Sequence, residues 1–446
     1  MSTVGESPRA STGVSRRALL GGGLAGAALT AAAPTAAAAA SGPAAPATED
    51  WSSIRDQFAL TRDYAQFTAF ILGTPADTVR GRIGEYQRQM DRDPHRYGMG
   101  ANDMANSEVT RQVVADHIGA DPGEIALTDS ATMGLGLVYR GLRLRRGQEV
   151  LTTEHDFYAT HEALRLHAEV TGCRVRKVRL YEDPARATKD EILGRLRRSI
   201  RPWTRVLAIT SVHSSTGVRL PTADIGRLAA EINAARHRRR RLLVCVDATH
   251  DFAATTHSVE GLGCDFFITS GHKWLFGPRG TGFVWGRREA WEALQAVIPS
   301  FSEEAIVAWI EGRVPVGPPG VLHTPGGYHT FEARWALPEA IRFHRGIGTD
   351  RITARIQQLA TRLKEAVAEL DHVTLRTPMS ADMSAGIVCL SVDGMTPRAA
   401  AERLIDEHRV YAGAAPYRES YLRLGPSLAT LEDDVDHAVR AIAALR

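Results

Sequence analysis

Cysteine is scarce. The 446-residue chain has four, Cys173, Cys245, Cys264 and Cys389, and none stands in the C-x-x-C spacing of a metal site or redox pair. Cys245 and Cys389 lie inside apolar strand-like runs, where a thiol reads as a small buried apolar group. Nothing in the spacing demands a disulfide. An excess of charge of one sign is also missing: Lys+Arg 54 stand against Asp+Glu 51, for a net charge of +3. The one basic run, His237-Arg238-Arg239-Arg240-Arg241, has no interleaved aromatics and no nucleic-acid motif, so it reads as a solvated connector. With 44% hydrophobic and 24% charged residues, the chain has the composition of a globular protein and not of a disordered or membrane-embedded one.

The first 40 residues differ from the rest. Ser15-Arg16-Arg17-Ala18-Leu19-Leu20 opens a stretch of mostly Ala and Gly. Two adjacent arginines, a weakly apolar run and small residues resemble a twin-arginine export signal. An exported protein is therefore expected, with a cytoplasmic one carrying an Ala-rich tail as the alternative. Such a stretch makes a poor permanent membrane anchor.

Beyond it, residues 41–75 read as a linker and N-terminal arm, 76–325 as a large domain and 326–446 as a smaller α+β domain. Periodicity predicts strands over 124–127, 149–152, 174–180, 206–211, 242–246 and 266–269. It predicts helices over 79–92, 111–118, 132–142, 158–171, 189–200 and 222–235. That alternation implies a mainly parallel sheet covered on both faces.

Two strand ends carry the chemistry. Leu242 to Val246 precede Asp247, which His250 follows, and Phe266 to Thr269 precede Ser270-Gly271-His272-Lys273. Open α/β sheets bind their ligands at such ends. A carboxylate that can hold a pyridinium nitrogen and a lysine that can form an imine are the parts that pyridoxal phosphate requires.

With these residues, Ser130-Ala131-Thr132, Glu154-His155-Asp156, Val212 to Gly217 and Tyr421-Leu422-Arg423 make the chain resemble a known family from about Trp51 onward. It is similar to the class V aminotransferases of fold-type I, within the cysteine desulfurase-like superfamily, and most to the isopenicillin N epimerase-like branch. The resemblance implies an α/β fold with a mostly parallel seven-stranded sheet, pyridoxal 5'-phosphate as cofactor and an amino-acid substrate. Lys273 would bind the cofactor and move the Cα proton. Asp247 would salt-bridge the pyridine nitrogen, His250 would meet the phenolic oxygen, and His155 would stack on the ring. Ser130, Ala131 and Thr132, opening a helix, would hold the phosphate, joined by Ser270 and His272. Ser214 occupies the place where desulfurases carry Asn, as in epimerase-like members, and would join the cofactor-binding residues. Arg423 would grip the substrate carboxylate, although Leu424-Gly425 depart from the small residue and Ser that usually follow. Gly327-Tyr328, near Thr330, resembles the segment that reaches the partner's phosphate in a homodimer.

Residues 411–420, YAGAAPYRES, contain no cysteine, whereas desulfurases carry their sulfur acceptor in this loop. Epimerisation or racemisation, C–S or β-elimination, and transamination remain. Tyr158 and His213 are polar candidates for a second acid–base group. A pyridoxal phosphate scaffold that binds ligand without turnover is the alternative of another class; the complete Asp247, His250 and Lys273 set argues against it. No metal and no nucleic-acid partner are expected.

Overall fold

The computed structural model describes residues 50–98, 100–255 and 258–446. The export signal read into residues 1–40 lies outside the described residues.

After the short helix Trp51–Asp56, the arm contributes β1 (Ala65–Gln66). The large sheet is built from β2 (Ile125–Thr128), β3 (Glu149–Thr153), β4 (Arg174–Val178), β5 (Thr204–Thr210), β6 (Leu243–Asp247), β7 (Phe266–Ser270) and β8 (Gly282–Gly286). Its order is β2-β8-β7-β6-β5-β3-β4. From β7 to β4 every neighbour pair is parallel, while β8 runs antiparallel to both β7 and β2. Residues 282–286, not expected as a strand, thus complete the seven. They close a hairpin with β7.

Both faces of the central strands are apolar because both are covered. In β5 and β6, Leu207, Ile209, Val244 and Val246 enter one core, while Val206, Ala208, Leu243 and Cys245 enter the other. This is the two-residue period of a strand buried on both sides. Helices α1 (Asp77–Arg92), α2 (Ala101–Ile118), α3 (Ala131–Gly141), α4 (Tyr158–Thr171), α5 (Lys189–Ser199) and α6 (Thr222–Ala234) supply the cover. Leu135, Val138 and Tyr139 of α3 and Leu164 of α4 fill one face; Ile192 and Leu196 of α5 and Ile225 and Leu228 of α6 fill the other. At the edge, β4 carries Arg174, Arg176 and Lys177 and is the least buried of the seven, which blunts it against further pairing.

Beyond residue 326, α7 (Phe331–Ile347) packs on α1 and α2, and α8 (Thr349–Ala368) leads to a second sheet. That sheet has β9 (Val373–Leu375), β10 (Val388–Val392), β12 (Gly413–Ala414) and β13 (Leu422–Leu424), in the order β12-β13-β10-β9 and antiparallel throughout. With α8, α9 (Pro397–His408) and α10 (Glu432–Ala443) it encloses its own core around Leu363, Val388, Leu404, Leu424 and Val435. The arm reaches this part of the fold: β1 pairs in parallel with β11 (Val410–Tyr411). All four cysteines are buried and free. Among the described residues no helix is long and apolar enough to cross a membrane.

Candidate active site

The sheet order creates a crevice. Strands β3 and β5 are neighbours, but the chain leaves β3 outward for β4 and leaves β5 inward for β6. Where successive connections part in this way, ligands bind outside the carboxyl ends. A cleft of about 620 Å³ opens here, lined by His155, Ser215, Thr216, Tyr417, Arg418 and Tyr421 among others.

Asp247 closes β6 and is buried. The Thr249 N–H and hydroxyl both donate to its Oδ1, at 3.0 and 2.6 Å. That leaves Oδ2 for a cationic or N–H partner. Burial raises its pKa above the ordinary 3.8, against the pull of those bonds and of the Lys273 charge.

Lys273 follows β7 through a turn that only glycine fits. A Cβ on Gly271 would stand 2.4 Å from Thr281 Oγ1 and 2.9 Å from Leu337. The His272 carbonyl accepts from Gly73 N–H at 2.7 Å, which ties the turn to the N-terminal arm. Lys273 Nζ lies 3.5 Å from His250 Nε2. Burial pulls its amine down to about 8; Asp247 works against that drop and Arg423 adds to it. Burial, then the Lys273 charge, keep His250 neutral. Its Nδ1 is buried with no protein partner.

His155 follows β3. Its ring stacks on Tyr181 with centroids 4.0 Å apart and planes inclined by 13°. Leu180 N–H donates to its Nε2 at 3.3 Å, which assigns the proton to Nδ1. Burial holds its pKa at about 3. The imidazole is therefore a flat neutral surface braced from one side, suited to stacking on the other. Behind it the Tyr181 hydroxyl bonds His213 Nδ1 and Thr216 Oγ1, both at 2.8 Å. His213 is thus a buried neutral brace. Tyr158 opens α4 on the surface, 69% exposed. Neither candidate for a second acid–base group is free inside the crevice.

At the other end, Ser130 caps α3, its Oγ accepting from Met133 N–H at 3.1 Å. Ala131 is buried and Thr132 exposed. Ser270 pairs with Gly282 across the hairpin, and a Cβ on Gly282 would come within 3.0 Å of the Ser130 carbonyl carbon. The α3 N-terminus and the end of β7 are thereby brought together. Ser270 Oγ is buried without a protein partner, which fits a missing acceptor such as a phosphate oxygen. His272 is half-buried beside it in sequence. The donor set, the orphaned Ser270 and His250 atoms and the free Oδ2 all fit pyridoxal phosphate.

Arg423 lies in β13, buried, with its guanidinium 4.6 Å from the Phe70 ring. It donates to the carbonyls of Ser214 (3.0 Å) and Ala414 (3.2 Å), and its Nε has no partner. Ser214 Oγ sits 2.6 Å from the Tyr417 hydroxyl. Sequence reasoning did not single out Tyr417, Tyr181 or Thr249. Thr249 had a visible signal, two residues after Asp247; the two tyrosines had none beyond their polarity. Among the described residues no His, Cys, Asp and Glu group is arranged to hold a metal.

The aminotransferase class-V model matches residues 75–415. The chain belongs to the class-V aminotransferase family. Among its class-V relatives, isopenicillin N epimerase of Streptomyces clavuligerus is 29% identical over 355 residues, covering 75% of this chain and 83% of the relative. A probable cysteine desulfurase of Xylella fastidiosa (strain Temecula1) is 27% identical over 374 residues, 79% and 82% of the two chains. A C-DES mutant with glycine covalently linked to its pyridoxal phosphate cofactor superposes with TM-score 0.76 at 20% identity, covering 89% of this chain and all of that one. The cysteine desulfurase of Thermococcus onnurineus superposes with TM-score 0.75 at 21% identity, covering 88% and 97%. These likenesses establish the fold-type I architecture of this class-V enzyme.

Proposed function

We propose that this class-V enzyme uses pyridoxal phosphate at Lys273 to move a proton at Cα of an amino acid, as an epimerase or racemase. The observation that carries the reading is the grouping of Lys273, its amine near 8, with Asp247 and His250 at adjacent strand ends. Bound there, the cofactor supplies an electron sink for the Cα–H bond. Asp247 holds a positive pyridine nitrogen, and His250 Nδ1 has capacity for a further polar contact. Ser130, Ala131, Thr132, Ser270 and His272 bind the phosphate. His155 covers the ring. Arg423, with Nε unpaired, orients the substrate carboxylate. Lys273, neutral in an appreciable fraction near pH 8, takes the Cα proton.

A desulfurase reading lacks its nucleophile. Loop 411–420 offers the Tyr417 phenol and no thiol. All four cysteines are buried, with Cys389 and Cys264 pushed up to about 12 by that burial. C–S elimination shares the first proton transfer and is the second reading, supported by the similarity to desulfurases. Incubation with an amino-acid panel in deuterated water separates them. Cα deuteration with inversion supports the epimerase, release of ammonia with a thiol supports the lyase, and loss of the amine alone to give an oxo acid overturns both.

We also read the protein as a homodimer, with residues 326–330 crossing to the partner. Tyr328 is 79% exposed, and Trp309, Val314 and Val316 are further exposed apolar side chains of the kind an interface covers. A fully active monomer in sedimentation contradicts this. For residues 1–40 we read export through Arg16-Arg17, and substitution of both by Lys should retain the active enzyme in the cytoplasm.

A further inference from the structure

Residues 415–420 join β12 to β13 and place a phenol in the crevice. Ala415 N–H donates to Tyr421 O and Tyr417 N–H to Ala415 O, both at 2.9 Å, and the Ser420 hydroxyl closes the turn on Ala415 O at 2.6 Å. The Tyr417 hydroxyl is fixed at its far end by Ser214 Oγ, and Phe157 lies against the ring with centroids 6.0 Å apart. The phenol is therefore held along its length and still lines the cleft.

Strand order gives this phenol its place relative to Lys273. Along the sheet, Lys273 follows β7, Asp247 ends β6, Ser214 follows β5 and His155 follows β3. Neighbouring strands stand about 4.8 Å apart. Lys273 and the Ser214–Tyr417 pair thus flank Asp247 along the sheet, one on the β7 side and the other on the β5–β3 side. Inversion at carbon requires a proton removed on one side and one delivered on the other.

We propose that Tyr417, positioned by Ser214, is the second acid–base group of this site and delivers a proton to Cα from the side opposite Lys273. The proposal rests on the reading of the site as one for Cα proton transfer. As the Cα–H bond breaks, its proton becomes part of the Lys273 ammonium; the Tyr417 O–H bond breaks as the new Cα–H bond forms. The phenolate is left beside the Ser214 hydroxyl and within the field of the Arg423 guanidinium, which both stabilise it. Lys273 then loses a proton to water and Tyr417 takes one up, so nothing is oxidised and the net change is one hydrogen exchanged with solvent. Burial keeps the resting phenol protonated, against the opposing pull of Ser214 and Arg423.

The test uses cofactor-loaded protein with the L-enantiomers of the chiral protein amino acids in deuterated water. Wild type should yield a Cα-deuterated D-enantiomer from at least one. Tyr417→Phe should slow D-enantiomer formation at least ~100-fold, the scale of a lost general acid, while deuterium still enters the L-enantiomer. Cofactor affinity and visible absorbance should match wild type. Ser214→Ala should slow D-enantiomer formation more than deuterium entry into the L-enantiomer, because it releases the phenol from the hydrogen bond at its far end. Inversion at the wild-type rate by Tyr417→Phe or by Ser214→Ala overturns the proposal. Wild-type exchange without inversion overturns it but leaves Cα chemistry standing. Absence of exchange in wild type sinks both readings.

Discussion

The Lys273 amine should be unusually reactive before any cofactor is bound. Its pKa lies at about 8, compared with the ordinary 10.5, and burial is the main cause. At about pH 7.5 such an amine is ~24% neutral, against ~0.1% for an ordinary lysine, a ~240-fold gain in nucleophile. The two charges nearest it act in opposite senses. The Asp247 carboxylate favours the ammonium, so Asp247→Asn should move the midpoint below 8. The Arg423 guanidinium disfavours it, so Arg423→Gln should move the midpoint above 8. Trace acylation of cofactor-free protein across a pH series, with the Lys273 peptide quantified against that of solvent-exposed Lys189, reads each midpoint directly. A wild-type midpoint near 10.5, or variants that shift in the reverse directions, would refute the electrostatic account of the site.

Other consequences are independent of that amine. Gly217, at φ +72°, would bring a Cβ within 2.3 Å of the Ile387 carbonyl oxygen, so Gly217→Ala should cost about 2–4 kcal/mol from backbone strain and overpacking. An unchanged denaturation midpoint would contradict this. Tyr181→Phe leaves His213 Nδ1 and Thr216 Oγ1 without their shared partner and should destabilise by about 1–3 kcal/mol. A variant as stable as wild type would show that the pair is satisfied elsewhere. Thr249→Val removes the 2.6 Å hydroxyl bond to Asp247 Oδ1. A hydrogen bond to a charged group is worth about 1.5 kcal/mol, so pyridoxal phosphate should bind about tenfold more weakly, as read by absorbance titration; equal affinity would mean that Thr249 does not tune Asp247.

Much of this architecture is legible locally. Apolar runs bounded by polar turns locate β3, β5, β6 and β7 to within a residue or two, and the helical period gives Tyr158–Thr171 without error. Strand β8 was hidden because Gly280 and Gly282 flank Thr281 and make its start read as a loop; its antiparallel pairing with β7 and β2 reveals it. The first turns of α2 bury no apolar side chain. They are held by polar tertiary contacts such as Trp335 Nε1–H donating to Asp103 Oδ1. Strands β1 and β11 are two residues each and exist only by pairing with each other from opposite ends of the described chain, and the equally short β12 exists only by pairing with β13. The site divides the same way. Asp247 and His250 announce themselves at the end of β6, and Lys273 just after β7. Tyr417 does not, because it meets Ser214 across 203 residues of sequence.

The central claim is that the cofactor is carried by one particular amine. The chain has four lysines, Lys177, Lys189, Lys273 and Lys364. Burial also pulls Lys364 to about 8. Its Nζ, however, is bound to the carbonyls of Pro378 and Met379 and to Ser384 Oγ, which leaves no access for an aldehyde. Borohydride reduction of the pyridoxal phosphate-loaded protein, followed by peptide mass mapping, should place the phosphopyridoxyl group on Lys273 alone. The same mass on Lys364, Lys177 or Lys189, or on none of the four, would contradict the account.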